Sequence, residues 1–474
     1  MREFLYKSKT TLVFAARILL EVLLLLVFLL MLSKYNPWLL RISRTAAVTG
    51  LTYISMKLLL SRIYGIYDIG VRKSRPIVLS LTVCSVITDI LAFAMLVIMN
   101  INETTGNKLY PYFGWDVLRL IIIMIIQYLL ILAFTYGGNA LYFAVTPPEK
   151  CVIIADDSEQ ARAVANDIAK FAKQYQLCKL LKWTSPELYE KIESADTIFS
   201  AGGTPEQLSD MMYYCFKMRK NYYRSMGVTN LLSMTSTPFQ IDDRSYVKSG
   251  TKQITMGQRI AKRLFDIIVS AIGLIITSPI MLITALCIWI EDGGEVIFKQ
   301  NRVTINQRIF TMYKFRSMKK SADDSMVVDD DDRITKVGRV IRKFRIDELP
   351  QLVNVIKGDM SIVGPRAEMA SRVYLNTEDL PDYVYRYRMK GGITGYAQIY
   401  GKYNTSAYDK LMMDLTYMQT FSLWSDFKIF CQTISVLLTP ERSTASYSES
   451  DEEKLEQQIE QVQEEKKIQE KQDE

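Results

Sequence analysis

Histidine is absent from all 474 residues. That excludes a histidine general base, a Ser-His-Asp relay and imidazole ligation of a metal. Any chemistry must fall to carboxylates, Lys, Arg, Tyr, Ser or a bound ion. The six cysteines (Cys84, Cys151, Cys178, Cys215, Cys287 and Cys431) are scattered, with no CxxC pair. They read as small buried hydrophobes or free thiols of a reducing compartment, not as disulfides or zinc ligands. A glycine-rich phosphate loop is missing where one would matter. The strand-like stretch Cys151–Ala155 runs into Asp-Asp-Ser-Glu159 without a glycine. A dinucleotide pyrophosphate needs close backbone approach at that turn. The segment is therefore expected to be structural or regulatory, not an NAD site.

What the chain does have is unevenly spread. It is 49% hydrophobic, with Leu, Ile, Val and Phe crowded into the first third, and it carries a net charge of +7. The last 34 residues hold 12 acidic and 5 basic side chains, so residues 1–440 carry +14. Such basicity suits an anionic membrane surface or phosphate-bearing ligands, and the long apolar segments favour those over nucleic acid.

Four segments read as membrane-spanning: Leu12–Leu32, Ala46–Tyr64, Ile77–Met99 and Val117–Tyr136. The first is too long, and lacks the cleavage site, for a signal peptide. Glu21 can pair with Arg17 or with a neighbouring helix, and Asp89 reads as a bundle-facing residue. Arg2, Lys7 and Lys9, then Arg62, Arg72, Lys73 and Arg75, bias the N-terminus and everything after Tyr136 to the cytoplasm. Residues 1–148 form the expected four-helix transmembrane domain. Alternating strand and helix patterns over 149–239 predict a degenerate Rossmann-like α/β domain. A polar linker at 240–257 leads to a third domain at 258–440. The tail, 441–474, reads as a solvated helix or disordered.

A fifth hydrophobic run, Leu264–Ile290, is long enough to cross a bilayer, which takes roughly 20 apolar residues. Yet Ser278-Pro279 sits at its centre. Proline removes one helical hydrogen bond and clashes with the preceding turn, and the Ser278 hydroxyl is one group that can satisfy a freed carbonyl. The spacing predicts a bent, re-entrant helix over 264–290 that enters and leaves by one face. A straight span would move the basic region that follows to the outside.

That region, Val296–Arg345, holds 13 basic residues against six aspartates, all in Asp323–Asp332. Arg339, Arg342 and Arg345 are spaced to share a helix face, and guanidinium forks match phosphate oxygens. Asp347-Glu348-Leu-Pro350 reads as a helix start with an acidic cap. The neighbouring arginines are expected to lower a carboxylate pKa and keep it ionised. An ionised aspartate can attack phosphorus, and a glutamate beside it can help hold Mg²⁺. The Asp329–Asp332 run reads as a charged loop.

At these residues the chain resembles the bacterial sugar transferases, the monotopic phosphoglycosyl transferases. The likeness covers roughly Lys262–Leu438. It rests on KRLFD, the Ser278-Pro279 pair, FKQNRV, YKFRSM, DELPQLVNVIKGDMSIVGPR, GITGYAQI and DLTYMQTFSLWSDFKI. The resemblance implies an α+β monotopic catalytic domain whose re-entrant helix breaks at Ser278 and Pro279. It implies transfer of a sugar phosphate from a UDP-sugar to undecaprenyl phosphate with release of UMP, at the start of exopolysaccharide, capsule or O-antigen synthesis. Asp347 would be the nucleophile and Glu348 would assist through Mg²⁺. Arg342 and Arg366 match arginines near the phosphate site, and Lys314 and Arg316 lie in the KFR motif. The implied setting is the inner (cytoplasmic) membrane of a bacterial cell, multi-pass, with the catalytic domain on the cytoplasmic face and a homodimer among the possible assemblies. The chain departs from the pattern at Thr304 and Gln307, where glycine is usual, and at Ala367 and Gly391, where proline is usual. Two competing readings are a nucleotide-sugar dehydratase, which the glycine-free turn disfavours, and an inactive scaffold for polysaccharide assembly, which the intact Asp347-Glu348 pair disfavours.

Overall fold

The structure, a computed structural model, describes residues 9–34, 36–65, 68–104, 113–234, 236–250, 254–319, 333–401 and 405–437. They fall into two compact units, divided between Ser225 and Met226. The Asp323–Asp332 acids and the acidic tail lie outside the described residues.

The first unit opens with helices α1 (Lys9–Leu32), α2 (Arg44–Tyr64), α3 (Ser74–Thr104) and α4 (Phe113–Val145). Within α1, α3 and α4, the stretches Thr11–Leu32, Ser74–Met99 and Gly114–Val145 are long and apolar enough to cross a membrane. Helix α2 forms where a span is expected, but it falls short of that apolarity. Its threonines, serines and Lys57 dilute the run. The reason lies in its packing. Lys57 points inward, donating to Ser85 Oγ at 2.7 Å and lying 3.5 Å from Glu21. Glu21 thus pairs with a neighbouring helix. Asp89 is fully buried and accepts from Gln127 Nε2 at 3.2 Å, and the same amide faces the Leu24 carbonyl. In lipid such groups must find partners inside the bundle, so polar contacts link all four helices.

After Pro147-Pro148 come β1 (Glu149–Ala155), α5 (Ser158–Ala169), β2 (Tyr175–Lys182), α6 (Leu188–Lys191), β3 (Thr197–Ser200), α7 (Pro205–Lys217) and β4 (Asn221–Arg224). The sheet is all parallel, in the order β2–β1–β3–β4. Its central strand β1 is buried through Cys151–Ala155, as a strand covered on both faces must be. At its carboxyl end, Asp156 accepts the Gly203 N–H at 2.8 Å. All six cysteines are free thiols; Cys84, Cys151 and Cys215 are buried, whereas Cys178 and Cys287 are exposed.

The second unit starts with α8 (Val228–Met234), whose Leu231 packs among Val373, Tyr383 and Leu411. The α/β domain therefore ends earlier than the expected 239. The stretch read as a linker carries an antiparallel hairpin, β5 (Thr237–Ile241) with β6 (Arg244–Lys248). Next is α9 (Met256–Asp292), opened by a capping box of Thr255 and Gln258. This helix runs unbroken through Pro279. Pro279 has no N–H for the carbonyl of Ile275, and the Ser278 hydroxyl takes its place at 2.8 Å. The residue expected to compensate does so, and the helix continues instead of breaking.

Helix α9 is tied down at both ends. Near its start Lys262 donates to Asp426 and to the Val363 carbonyl, while Asp266 accepts from Ser361 Oγ and the Ile362 N–H. At its far end the Glu291 carboxylate takes the N–H groups of Lys336 and Val337, at 2.7 and 3.0 Å. Those open α10 (Lys336–Lys343). Between these anchors Ile272, Ile275, Ile276, Leu282, Ile283 and Leu286 stay exposed, an uncovered apolar face. The remaining elements are the antiparallel hairpin β7 (Ile297–Val303) and β8 (Ile309–Phe315), α11 (Gln351–Lys357), β9 (Ser361–Val363), α12 (Ala370–Asp379), β10 (Gly392–Thr394, parallel to β9), α13 (Tyr396–Tyr400), α14 (Ala407–Gln419) and α15 (Leu423–Leu437).

Lys262 and Asp426 are both nearly buried and lie 2.5 Å apart. Removing one partner of such a pair strands the other, at a cost of about 3–5 kcal/mol. Lys262→Ala should therefore lower the melting midpoint of the detergent-solubilised protein by several degrees. A midpoint equal to the parent's would show that the pair contributes no stability.

Candidate active site

Strand alternation builds the floor. Phe310, Met312 and Lys314 alternate along β8 and face one side. The first two enter the core; the third sends its ammonium to Glu348 Oε1, at 3.2 Å. Helix α11 is pinned on that strand by Asn354. Its Nδ2 donates to the Thr311 carbonyl at 2.8 Å and its Oδ1 accepts the Tyr313 N–H at 3.0 Å, as a neighbouring strand would. From the other side Arg263 of α9 donates to the Val355 and Ile356 carbonyls at the helix's C-terminal end.

Asp347 and Glu348 do not cap α11. They form a 3₁₀ turn, Ile346–Glu348, and neither side chain makes a cap hydrogen bond. The turn is entered through Arg345 in the left-handed conformation, φ 57°, which costs a residue with a Cβ roughly 1–3 kcal/mol. That geometry carries Asp347 inward, where it is buried with Oδ1 lacking a hydrogen-bond partner. It also takes Arg345 off the α10 face that Arg339 and Arg342 occupy. Arg345 turns instead to Glu348, 3.6 Å away.

The two carboxyls titrate in opposite directions. Burial, and then the charge of Glu348, push Asp347 up to about 6, against the pull of Lys314, Arg345 and Arg342. Burial works against the charge on Glu348 too, but Lys314, Arg366 and Arg345 outweigh it and hold the group down at about 2. The expected lowering by the arginine cluster therefore holds for Glu348 and fails for Asp347, where burial and the Glu348 charge outweigh the nearby cations.

Beside Glu348 lies a small, polar cleft, lined among others by Arg302, Lys314, Gln351, Arg366 and Gly392. Its cationic lining suits a phosphate group. Arg366 reaches it because two backbones cross almost in contact. A Cβ on Gly392 would meet Gly364 N at 2.2 Å, so only glycine fits. Lys314, Glu348 and Arg366 are thus brought together. Arg342 approaches Asp347 and lowers its pKa, whereas Arg316, just past the end of β8, is not among the residues lining the cleft. Ser278 and Pro279 lie in α9 and take no part in the cleft.

Arg302 and Gln351 had no role in the sequence reading. Arg302 lies within FKQNRV, but only the strand register shows that it turns inward. It is buried, and burial and then the Arg366 charge bring its pKa down to about 10. The departures from the family pattern are also explained. Thr304 Oγ1 accepts the Gly391 N–H at 3.1 Å, a bond that a proline at 391 could not make. Gly391 in turn lies against Ala367. Gln307 has φ 57°, a conformation that favours glycine.

The sequence pattern of the family described as "Bacterial sugar transferase" matches residues 257–440. A UDP-N-acetylgalactosamine-undecaprenyl-phosphate N-acetylgalactosaminephosphotransferase of Aeromonas hydrophila is 45% identical over 184 residues, 38% of this chain and 44% of that protein. The uncharacterized sugar transferase EpsL of Bacillus subtilis is 42% identical over 38% of this chain and 89% of its own length. A UDP-glucose:undecaprenyl-phosphate glucose-1-phosphate transferase of Caulobacter vibrioides is 37% identical over 39% and 72%. This chain thus spans less than half of the Aeromonas protein and most of the other two. It belongs to the bacterial sugar transferase family.

Proposed function

We propose that the protein transfers a sugar phosphate from a UDP-sugar to undecaprenyl phosphate and releases UMP, beginning the assembly of an exopolysaccharide, capsule or O-antigen. The observation that carries this reading is the buried Asp347, with an unpartnered carboxylate oxygen, adjacent in the chain to Glu348, which lines a cleft with Arg302, Lys314 and Arg366. A desolvated carboxylate beside a cationic cleft is suited to attack phosphorus, because it sheds no water shell and the cations hold the charged phosphates. In the first step an Asp347 oxygen bonds to the sugar-bearing phosphorus. The bond to the bridging oxygen breaks, and its electron pair leaves with UMP. In the second step an oxygen of the lipid phosphate displaces the carboxylate, giving a lipid diphosphosugar and freeing Asp347.

The donor set fits a Mg²⁺ bound mostly through substrate. Only hard oxygen ligands are present at the dyad, one of them without a partner, and Mg²⁺ commonly takes one or two carboxylates plus phosphate oxygens. Among the described residues no group of three acids or cysteines forms a complete protein cage. Glu348, with Asp347 beside it, would hold the ion, which would supply charge neutralisation on the diphosphate.

The proposed setting is the bacterial inner membrane, with the 258–440 domain on its cytoplasmic face and α9 as a re-entrant helix. Both ends of α9 bond to the same compact unit, through Lys262 and Asp266 at one end and Glu291 at the other. A helix that crossed the bilayer would leave one of these anchors on each side. The α/β domain that runs from 149 to Ser225 is read as a degenerate Rossmann-like support, and a homodimer is compatible with the family.

Asp347→Asn should abolish UMP release from a panel of UDP-sugars in purified membranes, while the variant still inserts. Chelating divalent ions should lower the parent's activity and added Mg²⁺ restore it. Full activity in Asp347→Asn would remove this residue as nucleophile. Topology has its own test. Single cysteines placed at Lys150 and Ser448 in a cysteine-free background should both react with a membrane-impermeant thiol reagent only from the cytoplasmic side. Labelling on opposite sides would mean that α9 spans.

A further inference from the structure

Arg386 is the largest fully buried side chain among the described residues, 1% exposed, and it is not itself among the residues lining the cleft. It lies in the 3₁₀ stretch Pro381–Arg388. One arm of its guanidinium, Nη2, donates to Asp414 Oδ2 at 2.6 Å and to the backbone carbonyl of Arg366 at 3.2 Å. The other, Nη1, donates to the Tyr383 hydroxyl and lies 3.9 Å from Glu368. Asp414, on α14, is fully buried too. Arg302 holds the next carbonyl along, that of Ala367, at 3.1 Å. Two buried arginines therefore grip consecutive carbonyls of the turn from which the Arg366 side chain enters the cleft.

Burying an arginine and an aspartate is a poor way to gain stability, because desolvation offsets much of their attraction. It is an effective way to fix a direction. A guanidinium presents its donors in a rigid plane, so a carboxylate on one side and a carbonyl on the other must keep their relative positions. We propose that Arg386 and Asp414 are positioning residues that aim Arg366 at a phosphate group of the bound ligand. This rests on the cleft binding phosphate, as the proposed function has it, but not on the transfer reaction.

The test is a binding cycle on the detergent-solubilised full-length protein, with inorganic pyrophosphate as the probe and calorimetry as the readout. Arg366→Ala should weaken binding about tenfold, the loss of one charge-assisted contact. Arg386→Met combined with Asp414→Leu removes both charges of the 2.6 Å pair together, and it should weaken binding by a similar factor. The three substitutions together should bind no more weakly than Arg366→Ala alone. Independent, multiplying losses would overturn the proposal, as would a parent protein that does not bind pyrophosphate. Should the Met/Leu pair not fold, Asp414→Asn keeps the shape and gives up the charge. It should weaken binding in the parent and leave Arg366→Ala unchanged, and equal weakening in both backgrounds would overturn the proposal. A parent that binds pyrophosphate but releases no UMP from any UDP-sugar would sink the transferase reading and leave the positioning role standing.

Discussion

Two adjacent carboxylates cannot be taken out of water unless cations go with them. That constraint shapes the second unit. Glu348 stays charged because Lys314, Arg345 and Arg366 converge on it from a strand, a strained turn and a glycine crossing. Each cation needs its own support. Lys314 depends on β8 being docked to α11 through Asn354, and Arg366 on the contact of Gly364 with Gly392. Asp347 is left with less compensation than its neighbour. The difference between the two carboxyls comes from their cations: Lys314 bonds directly to Glu348, whereas one Asp347 oxygen has no hydrogen-bond partner.

The same economy governs α9. Its apolar face needs no protein partner if lipid covers it, so its polar residues are concentrated at the two ends. Lys262, Arg263 and Asp266 at one end, and Glu291 at the other, bond to elements of the unit that holds the dyad. Arg263 reaches the C-terminal carbonyls of the very helix that Asp347 and Glu348 precede. Arg263 thus joins α9 directly to the helix that follows the Asp347-Glu348 turn. Ser278 lets the helix carry a proline without leaving a carbonyl bare.

Much of this was legible in the sequence wherever the determinants are close along the chain. Ser278 next to Pro279, Asp347 next to Glu348, and Lys314 in its short motif are all local; the Ser278 hydroxyl meets the Ile275 carbonyl and Lys314 meets Glu348. The membrane helices followed from apolar runs. The second, also read as a span, is less apolar than the others, and its Lys57 is explained only by Glu21 and Ser85, which face it from other helices. Arg302, Arg386 and Asp414 were not legible for the same reason. Their hydrogen-bond partners lie 20 or more residues away, except Gln300 and Tyr383, and a lone arginine in a strand or turn carries no sign of which way it points. The behaviour of Asp347 was misjudged because arginine-rich sequence suggests a lowered pKa, whereas depth and a like charge decide it.

The central claim is that Asp347 bonds to phosphorus before the lipid acceptor arrives. It is tested most directly by intact and peptide mass spectrometry of the purified protein, incubated with its UDP-sugar donor and Mg²⁺ but without undecaprenyl phosphate. The account predicts a mass gain of one sugar phosphate, localised to the peptide containing Asp347 and released when the lipid phosphate is added. An adduct on another residue, or turnover that never passes through a covalent species, would contradict it.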